Sequence, residues 1–131
     1  MATMASNRIP PAPVEDPTNK AFFDGCREGK LLIGRCLDTG KPFFYPRGIS
    51  PFTLSTNVRL EPSKGEGVIY SWSIQRGKDP YCLAYVTLDE GVTMMTNIVD
   101  CDLDTIRCGQ RVRLVWKPSD GGPPLPMFTP V

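Results

Sequence analysis

The sequence predicts a mostly β protein with a short N-terminal helix, a short hairpin and then a five-stranded OB-fold barrel. Three observations carry this prediction. Apolar residues recur at helical spacing once, early in the chain, whereas residues 67–116 alternate with the period of two that half-buried strands show. A single helical turn interrupts these strands late, which is typical of an OB-fold. Nine of the 14 prolines lie in residues 1–17 or 118–131, so an extended arm and an extended, proline-rich tail are expected.

The arm is expected to span residues 1–16, and the helix begins directly after it. Asp16 is a good N-cap and Pro17 suits the first helical position. Gly29 is expected to end the helix. One apolar stripe then contains Ala21, Phe22, Phe23 and Cys26.

Residues 17–60 combine this helix with a hairpin. Leu31 to Cys36 is a short apolar strand, and Lys41 to Tyr45 is expected to return beside it. The turn between them contains Asp38, Thr39 and Gly40, residue types that favour turns.

Residues 61–131 are expected to form the OB-fold with its proline-rich tail. The first strand is expected to point Val68, Tyr70, Trp72 and Ile74 inwards. Residues 82–88 and 92–98 form a hairpin about residues 89–91, and residues 102–107 form the single helical turn. The last predicted strand buries Val112, Leu114 and Trp116.

Composition restricts the function. The 131 residues suffice for one domain, and no histidine is present, which excludes serine–histidine and cysteine–histidine catalysis and histidine-bound zinc within this chain. The net charge of +1 makes a nucleic-acid partner unlikely and gives no reason to expect an anionic membrane. Without a signal-like apolar stretch near Met1, a cytoplasmic protein is expected.

Two clusters admit more than one interpretation. Arg111, Arg113 and Lys117 share the outer face of the last strand, where they could contact phosphates or simply be solvated. The aromatic residues between Phe43 and Phe52 could stack on bases, although packing or partner contact is the favoured interpretation.

Motifs from Phe22 to Phe128 resemble a family of small acyl-CoA-associated proteins with an N-terminal helix, a rubredoxin-like zinc ribbon and a C-terminal OB-fold. The resemblance covers about four fifths of the chain. Its elements, in order, are Phe22-Phe23, Gly29-Lys30-Leu31-Leu32, Tyr45-Pro46-Arg47, Gly65-Glu66-Gly67-Val68-Ile69-Tyr70-Ser71, Leu88-Asp89-Glu90-Gly91-Val92, Thr96-Asn97-Ile98-Val99-Asp100, Gly109-Gln110-Arg111-Val112 and Leu125-Pro126-Met127-Phe128.

The chain departs from the family at the zinc ligands. The four ligand positions keep their spacing, but they hold Cys36, Thr39, Ser50 and Thr53. Structural zinc needs thiolate or imidazole donors, and neutral hydroxyls are poor substitutes. A degenerate ribbon without zinc or another cofactor is therefore expected.

The resemblance implies a non-catalytic accessory subunit of a thiolase-like, hydratase or aldolase enzyme in acyl-CoA metabolism. Partner contact is expected at Phe22, Phe23, Tyr45 and Phe128. An alternative is direct acyl-CoA binding, with phosphates held by Arg47, Arg111 or Arg113. Single-stranded nucleic-acid binding is a further, less favoured alternative, and self-association is possible through a surface meant for a partner.

Overall fold

The computed structural model describes residues 3–6 and 8–131. One helix and two sheets make up the fold, as the sequence predicts. The elements are α1 (Lys20–Arg27), β1 (Leu32–Cys36), β2 (Pro42–Phe43), β3 (Val58–Pro62), β4 (Glu66–Gln75), β5 (Tyr81–Leu88), β6 (Thr93–Ile98), β7 (Arg111–Lys117) and β8 (Leu125–Pro130), with a 3₁₀ turn at Leu103–Thr105. No helix in the described ranges is long and apolar enough to cross a membrane.

Helix α1 begins one turn later than the sequence suggests. Asp16 does not cap α1 but closes a turn before it, because its Oδ1 accepts hydrogen bonds from the amides of Thr18 (2.8 Å) and Asn19 (3.2 Å). The predicted end is confirmed: Gly29 has φ +75°, and its amide donates to the carbonyl of Cys26.

The ribbon is a three-stranded antiparallel sheet in the order β2-β1-β3. The predicted hairpin is present as β1 and β2, but β3 was not predicted. Its alternation of Val58 and Leu60 is short and ends at Pro62. Arg35 on β1 forms an ion pair with Glu61 on β3 at 3.0 Å. Charged residues weaken the sequence pattern that predicts a strand, but in the folded chain these two stabilise the pairing of β1 with β3.

The five remaining strands form a closed barrel in the order β4-β5-β6-β8-β7, which confirms the OB-fold expectation. The 3₁₀ turn lies between β6 and β7, as expected, and Asp102 caps it by accepting from the amide of Asp104. Barrel residues such as Ile69 and Val86 share one continuous core with Phe22 of α1 and Ile33 of β1. The barrel therefore supports the helix and the ribbon through apolar packing.

The inward face of β4 differs from the prediction in its first half. Ile69 is buried, whereas Tyr70 is 70% exposed. A register irregularity between Ile69 and Ser71 is the cause, because one extra residue reverses which side chains face the core. Beyond it, Trp72 pairs with the buried Ala84 and shares its side of the strand, but Trp72 is 41% exposed and does not join the core.

The expected proline-rich tail belongs to the barrel. Residues 125–130 form β8, which pairs antiparallel with β7 and parallel with β6 through Ile98 and Phe128. Pro126 and Pro130 are tolerated in this strand. The N-terminal arm follows the barrel surface, where the amide of Ser6 donates to Pro80 and that of Asp120 donates to Pro10.

Candidate functional site

An aromatic cluster joins the helix to the ribbon. The Phe22 ring lies at its centre, in edge-to-face contact with Phe23, Phe44 and Tyr45 at centroid distances of 5.2, 5.7 and 5.5 Å. Phe22 is only 3% exposed, whereas Tyr45 is 52% exposed. Tyr45 and the half-buried Phe23 therefore present this cluster to solvent.

A second aromatic pair lies beside the ribbon sheet. The Phe43 ring covers Gly34 so closely that a Cβ at that position would overlap it, which explains why glycine stands there. Phe43 contacts Phe52 edge to face at 6.4 Å, and the guanidinium of Arg47 lies 5.7 Å from the Phe43 ring centroid. Arg47 therefore stacks on an aromatic ring of the ribbon, whereas the sequence suggested that it could bind a phosphate.

Large apolar side chains are exposed across the ribbon. We call them the ribbon surface; they are Leu37, Tyr45, Ile49, Phe52 and Leu54, each at least 44% exposed. Exposed aromatic and aliphatic groups of this kind make the ribbon a candidate protein-binding region.

The four former metal-ligand positions do not present four free donors. Ser50 is fully buried, and its Oγ accepts from the amides of Phe52 (3.1 Å) and Thr53 (3.2 Å). The hydroxyl of Thr39 accepts from the amide of Lys41. The hydroxyl of Thr53 donates to the carboxylate of Asp38 at 2.8 Å.

The carboxylate of Asp38 joins the loop after β1 to residues 53–57, which precede β3. Asp38 follows β1, and its carboxylate accepts hydrogen bonds from Thr53 Oγ1, Ser55 Oγ and Asn57 Nδ2 (2.9 Å). These bonds hold the pKa of Asp38 below its ordinary value. The bond from Asn57 lowers the pKa most, followed by those from Ser55 and Thr53. We call Asp38, Thr53, Ser55 and Asn57 the Asp38 clamp. The sequence reasoning missed it, although Thr53, Ser55 and Asn57 recur at the period of two that places side chains on one face.

Cys36 keeps an environment suited to a thiolate. Burial alone raises the pKa of its thiol, but the neighbouring hydroxyls of Ser50 and Thr39 and the amides of Thr39 and Asp38 favour the thiolate and outweigh this effect. The pKa falls to about 7. The surroundings of Cys36 therefore favour its deprotonated form more than those of a free cysteine.

The residues present do not fit a structural zinc ion. One thiolate faces hydroxyls that are already hydrogen-bonded, whereas tight tetrahedral binding needs four thiolate or imidazole ligands. Across residues 3–6 and 8–131, no group of three or more His, Cys, Asp or Glu side chains is arranged to hold a metal ion.

Two expected partner contacts are corrected by burial. Phe128 is fully buried and faces the barrel interior from β8, and Phe22 is held inside the aromatic cluster. Neither side chain reaches a partner in this conformation. Of the four predicted partner residues, Phe23 and Tyr45 reach the surface, each in contact with Phe22, whereas Phe22 and Phe128 belong to the buried core.

The expected phosphate ligands on β7 lie on its outer face. Arg111 makes two bonds to the carboxylate of Asp89, at 2.7 and 3.1 Å, and Arg113 is exposed opposite Glu66 on β4. The described surface has an open groove of about 250 Å³ between the arm and the barrel, but Arg47, Arg111 and Arg113 do not line it. The geometry does not gather the three arginines around a cavity.

Comparison with known proteins assigns both halves of the fold. Residues 23–49 match the family described as ChsH2, rubredoxin-like zinc ribbon domain, and residues 60–117 match ChsH2, C-terminal OB-fold domain. A DUF35 domain-containing scaffold protein of Methanothermobacter thermautotrophicus is 38% identical over 66% of this chain and 71% of its own length. The chain belongs to the DUF35 family.

Other DUF35 relatives extend the comparison. The solved structure titled Ltp2-ChsH2(DUF35) aldolase aligns with a TM-score of 0.81 at 28% identity, over 90% of this chain and 98% of that chain. A probable enoyl-CoA hydratase alpha subunit of Thermomonospora curvata is 30% identical over 92% of this chain. This chain spans only 40% of that hydratase subunit's length.

Proposed function

We propose that this chain is a non-catalytic accessory subunit of a thiolase-like, hydratase or aldolase enzyme that acts on acyl-CoA substrates. The observation that carries the proposal is the alignment with the DUF35 chain of an aldolase over nearly the whole of both chains. The ribbon and the barrel align together.

The names of two kinds of relative support the same role. An archaeal relative is named a scaffold protein, and a bacterial relative is a longer polypeptide named as a hydratase subunit. In the second case, the counterpart of this chain is covalently joined to the rest of a hydratase subunit. An accessory role beside an acyl-CoA enzyme agrees with both names.

The chemistry of the chain favours a non-catalytic role. The sequence has no histidine to act as a general base. Cys26, Cys36 and Cys82 are buried, and burial, which is the largest influence, raises the pKa of Cys26 to about 11. The thiolate of Cys36 is enclosed by its own hydrogen-bond donors and lacks an open position for a substrate.

The ribbon surface is the proposed contact with the enzyme. Its two aromatic members, Tyr45 and Phe52, are rigid and about half exposed, and such residues commonly carry most of the binding free energy at interfaces. Phe23 extends this surface from the helix. Leu54 is 78% exposed and adds an aliphatic side chain at its margin.

Native co-purification tests this proposal. A tagged chain is expressed in its own cells, and the proteins that co-purify are identified by mass spectrometry. We expect a thiolase-like, hydratase or aldolase protein at a stoichiometric ratio. Tyr45→Ala with Phe52→Ala should lower its recovery at least tenfold, whereas Ile9→Ala with Val14→Ala, a double change at two exposed apolar positions of the arm, should not. A chain recovered without any such enzyme, at several salt concentrations, would contradict the proposal.

Direct acyl-CoA binding through Arg47, Arg111 and Arg113 stays a prediction. The pairing of Arg111 with Asp89 counts against it, because a phosphate would have to compete with a carboxylate already bound at two atoms. Calorimetric titration of the isolated chain with acyl-CoAs of several chain lengths decides this alternative. Oligonucleotides serve as the parallel probe for the nucleic-acid alternative.

A further inference from the structure

The outer side of the barrel carries large exposed side chains that the proposed ribbon contact does not use. They lie on three neighbouring strands, β4, β5 and β6, and we call them the tyrosine face. Its members are Tyr70, Tyr81, Leu83, Tyr85 and Met95, each between 41% and 70% exposed.

Strand register explains why these side chains point outwards together. On β5, Tyr81, Leu83 and Tyr85 alternate with inward-facing residues that are almost fully buried. Tyr85 pairs directly with Met95 on β6 and with Ser71 on β4. Side chains at paired positions lie within about 5.5 Å at their Cβ atoms, so they form one continuous surface. The irregularity in β4 adds Tyr70 to it.

This face has no charged side chain at its centre. The other outward-facing residues of β5, of β6 and of β4 beyond residue 70 are all uncharged. They are Ser71, Ser73, Gln75, Thr87, Thr93 and Asn97. The outward side of β7 differs, because it carries Arg111, Arg113 and Lys117. Interface centres in proteins are depleted of charge and enriched in Tyr and Met, which is the composition of the tyrosine face.

We propose that the tyrosine face binds the tyrosine face of a second copy of this chain, forming a two-fold symmetric dimer. In such a dimer each surface patch meets its own copy, so a charge near the axis would face the same charge. A neutral face avoids this repulsion. Serine, threonine and tyrosine hydroxyls can both donate and accept, so identical faces can also form hydrogen bonds with each other.

The available area agrees with a dimer of modest affinity. If a fully exposed aromatic side chain offers ~200 Å², the five side chains together offer on the order of 500 Å². The rim of Ser73, Gln75 and Thr93 enlarges this towards the ~800 Å² per partner of a standard interface. The neutral composition gives polyanions such as nucleic acid or an acidic membrane no group to bind.

Sedimentation velocity of the purified full chain tests the dimer. Concentrations from about 1 μM to 1 mM span the range of weak to moderate dissociation constants. We expect the mass to rise from 14.5 kDa to twice that value as the concentration increases. Tyr85→Glu places a charge at the centre of each face and should raise the dissociation constant at least tenfold.

Val14→Glu is the matched control, because it introduces the same charge at an apolar position of the N-terminal arm that is 85% exposed and lies outside the tyrosine face. It should dimerise like the unmodified chain. Circular dichroism and thermal melting establish that both variants fold. A chain that stays monomeric throughout overturns the proposal, as does a Tyr85→Glu variant that still dimerises.

If the chain is monomeric and Tyr85→Glu abolishes its co-purification with the enzyme, the tyrosine face is assigned to that enzyme instead. The ribbon variants test enzyme binding separately, so the two proposals can fail independently.

Discussion

The ribbon and the barrel use different interactions to hold their strands together. The barrel closes on itself and buries a continuous apolar core, with Ile98, Val112 and Phe128 each at most 1% exposed. The ribbon has three short strands. The loop that follows β1 is joined to residues 53–57 mainly by hydrogen bonds to the carboxylate of Asp38. Apolar burial dominates in the barrel, whereas the ribbon combines buried residues of β1, such as Ile33, with the polar cluster around Asp38.

This difference bears on how the ribbon can fold without a complete set of zinc ligands. In a zinc ribbon, the metal joins the two halves of the domain. In this chain, the Asp38 clamp connects the loop after β1 to residues 53–57 and includes Thr53, one of the four positions that correspond to zinc ligands. The barrel also packs against the ribbon through Ile33, so the ribbon does not have to fold alone. The four predictions that follow test this contrast.

Restoring the ligands should give the largest effect. Thr39→Cys, Ser50→Cys and Thr53→Cys together complete a four-thiolate set with Cys36 at the family's spacing. Since zinc-finger peptides bind zinc with apparent free energies of ~10–16 kcal/mol, we expect one zinc per chain by elemental analysis and a melting temperature that falls when a chelator is added.

The matched control keeps the number of cysteines but moves two of the new thiols from Ser50 and Thr53 to the exposed barrel positions Ser73 and Thr105, so that only two thiolates remain in the ribbon. This variant should hold zinc far more weakly than the four-thiolate ribbon, and the unmodified chain should be unaffected by the chelator. One tightly bound zinc in the unmodified chain would show that the Asp38 clamp does not replace the metal.

Removal of the Phe128 side chain should destabilise the barrel. The residue is fully buried, pairs with Leu114 on β7 and Ile98 on β6, and its carbonyl accepts from the amide of Val99. Phe128→Ala should lower the free energy of unfolding by ~3–5 kcal/mol, the usual cost of such a cavity. Urea denaturation measures the change. Val14→Ala, at an 85% exposed position, should change it by less than about 0.5 kcal/mol. Equal losses in the two variants would contradict the assigned core.

The sequence predicts the barrel better than the ribbon, because regular alternation reports burial on one face. It predicts the inward positions of β5 and β6 correctly, but it cannot reveal the irregularity that turns Tyr70 outwards. Phe128 was assigned to a tail because prolines on both sides suggested an appendage. The Asp38 clamp depends on contacts between residues 15 to 19 positions apart, which no local pattern records.

Loss of the Asp38 carboxylate should loosen the ribbon and leave the barrel intact. Asp38→Ala removes the common acceptor of Thr53, Ser55 and Asn57. Hydrogen exchange should then accelerate in β1 and β3 and remain unchanged in β5. The control Asp120→Ala removes an exposed carboxylate on the loop before β8 and should accelerate neither. Uniform acceleration throughout the chain would show that the ribbon and the barrel unfold as one unit.

The thiol of Cys36 should give the smallest effect, visible as a pH dependence of stability. Its pKa is about 7 in the folded chain, against an ordinary value of 9.0. Because the folded state releases the proton more readily, this group adds stability above pH 9 and loses that contribution as the pH falls through 7. Between those values, the free energy of unfolding should rise more steeply with pH in the unmodified chain than in Cys36→Ser. Denaturant midpoints of both proteins from pH 6 to pH 9 measure the difference. The other titrating groups are shared by the two proteins, so parallel profiles would mean that the hydrogen bonds around the sulfur do not favour the thiolate.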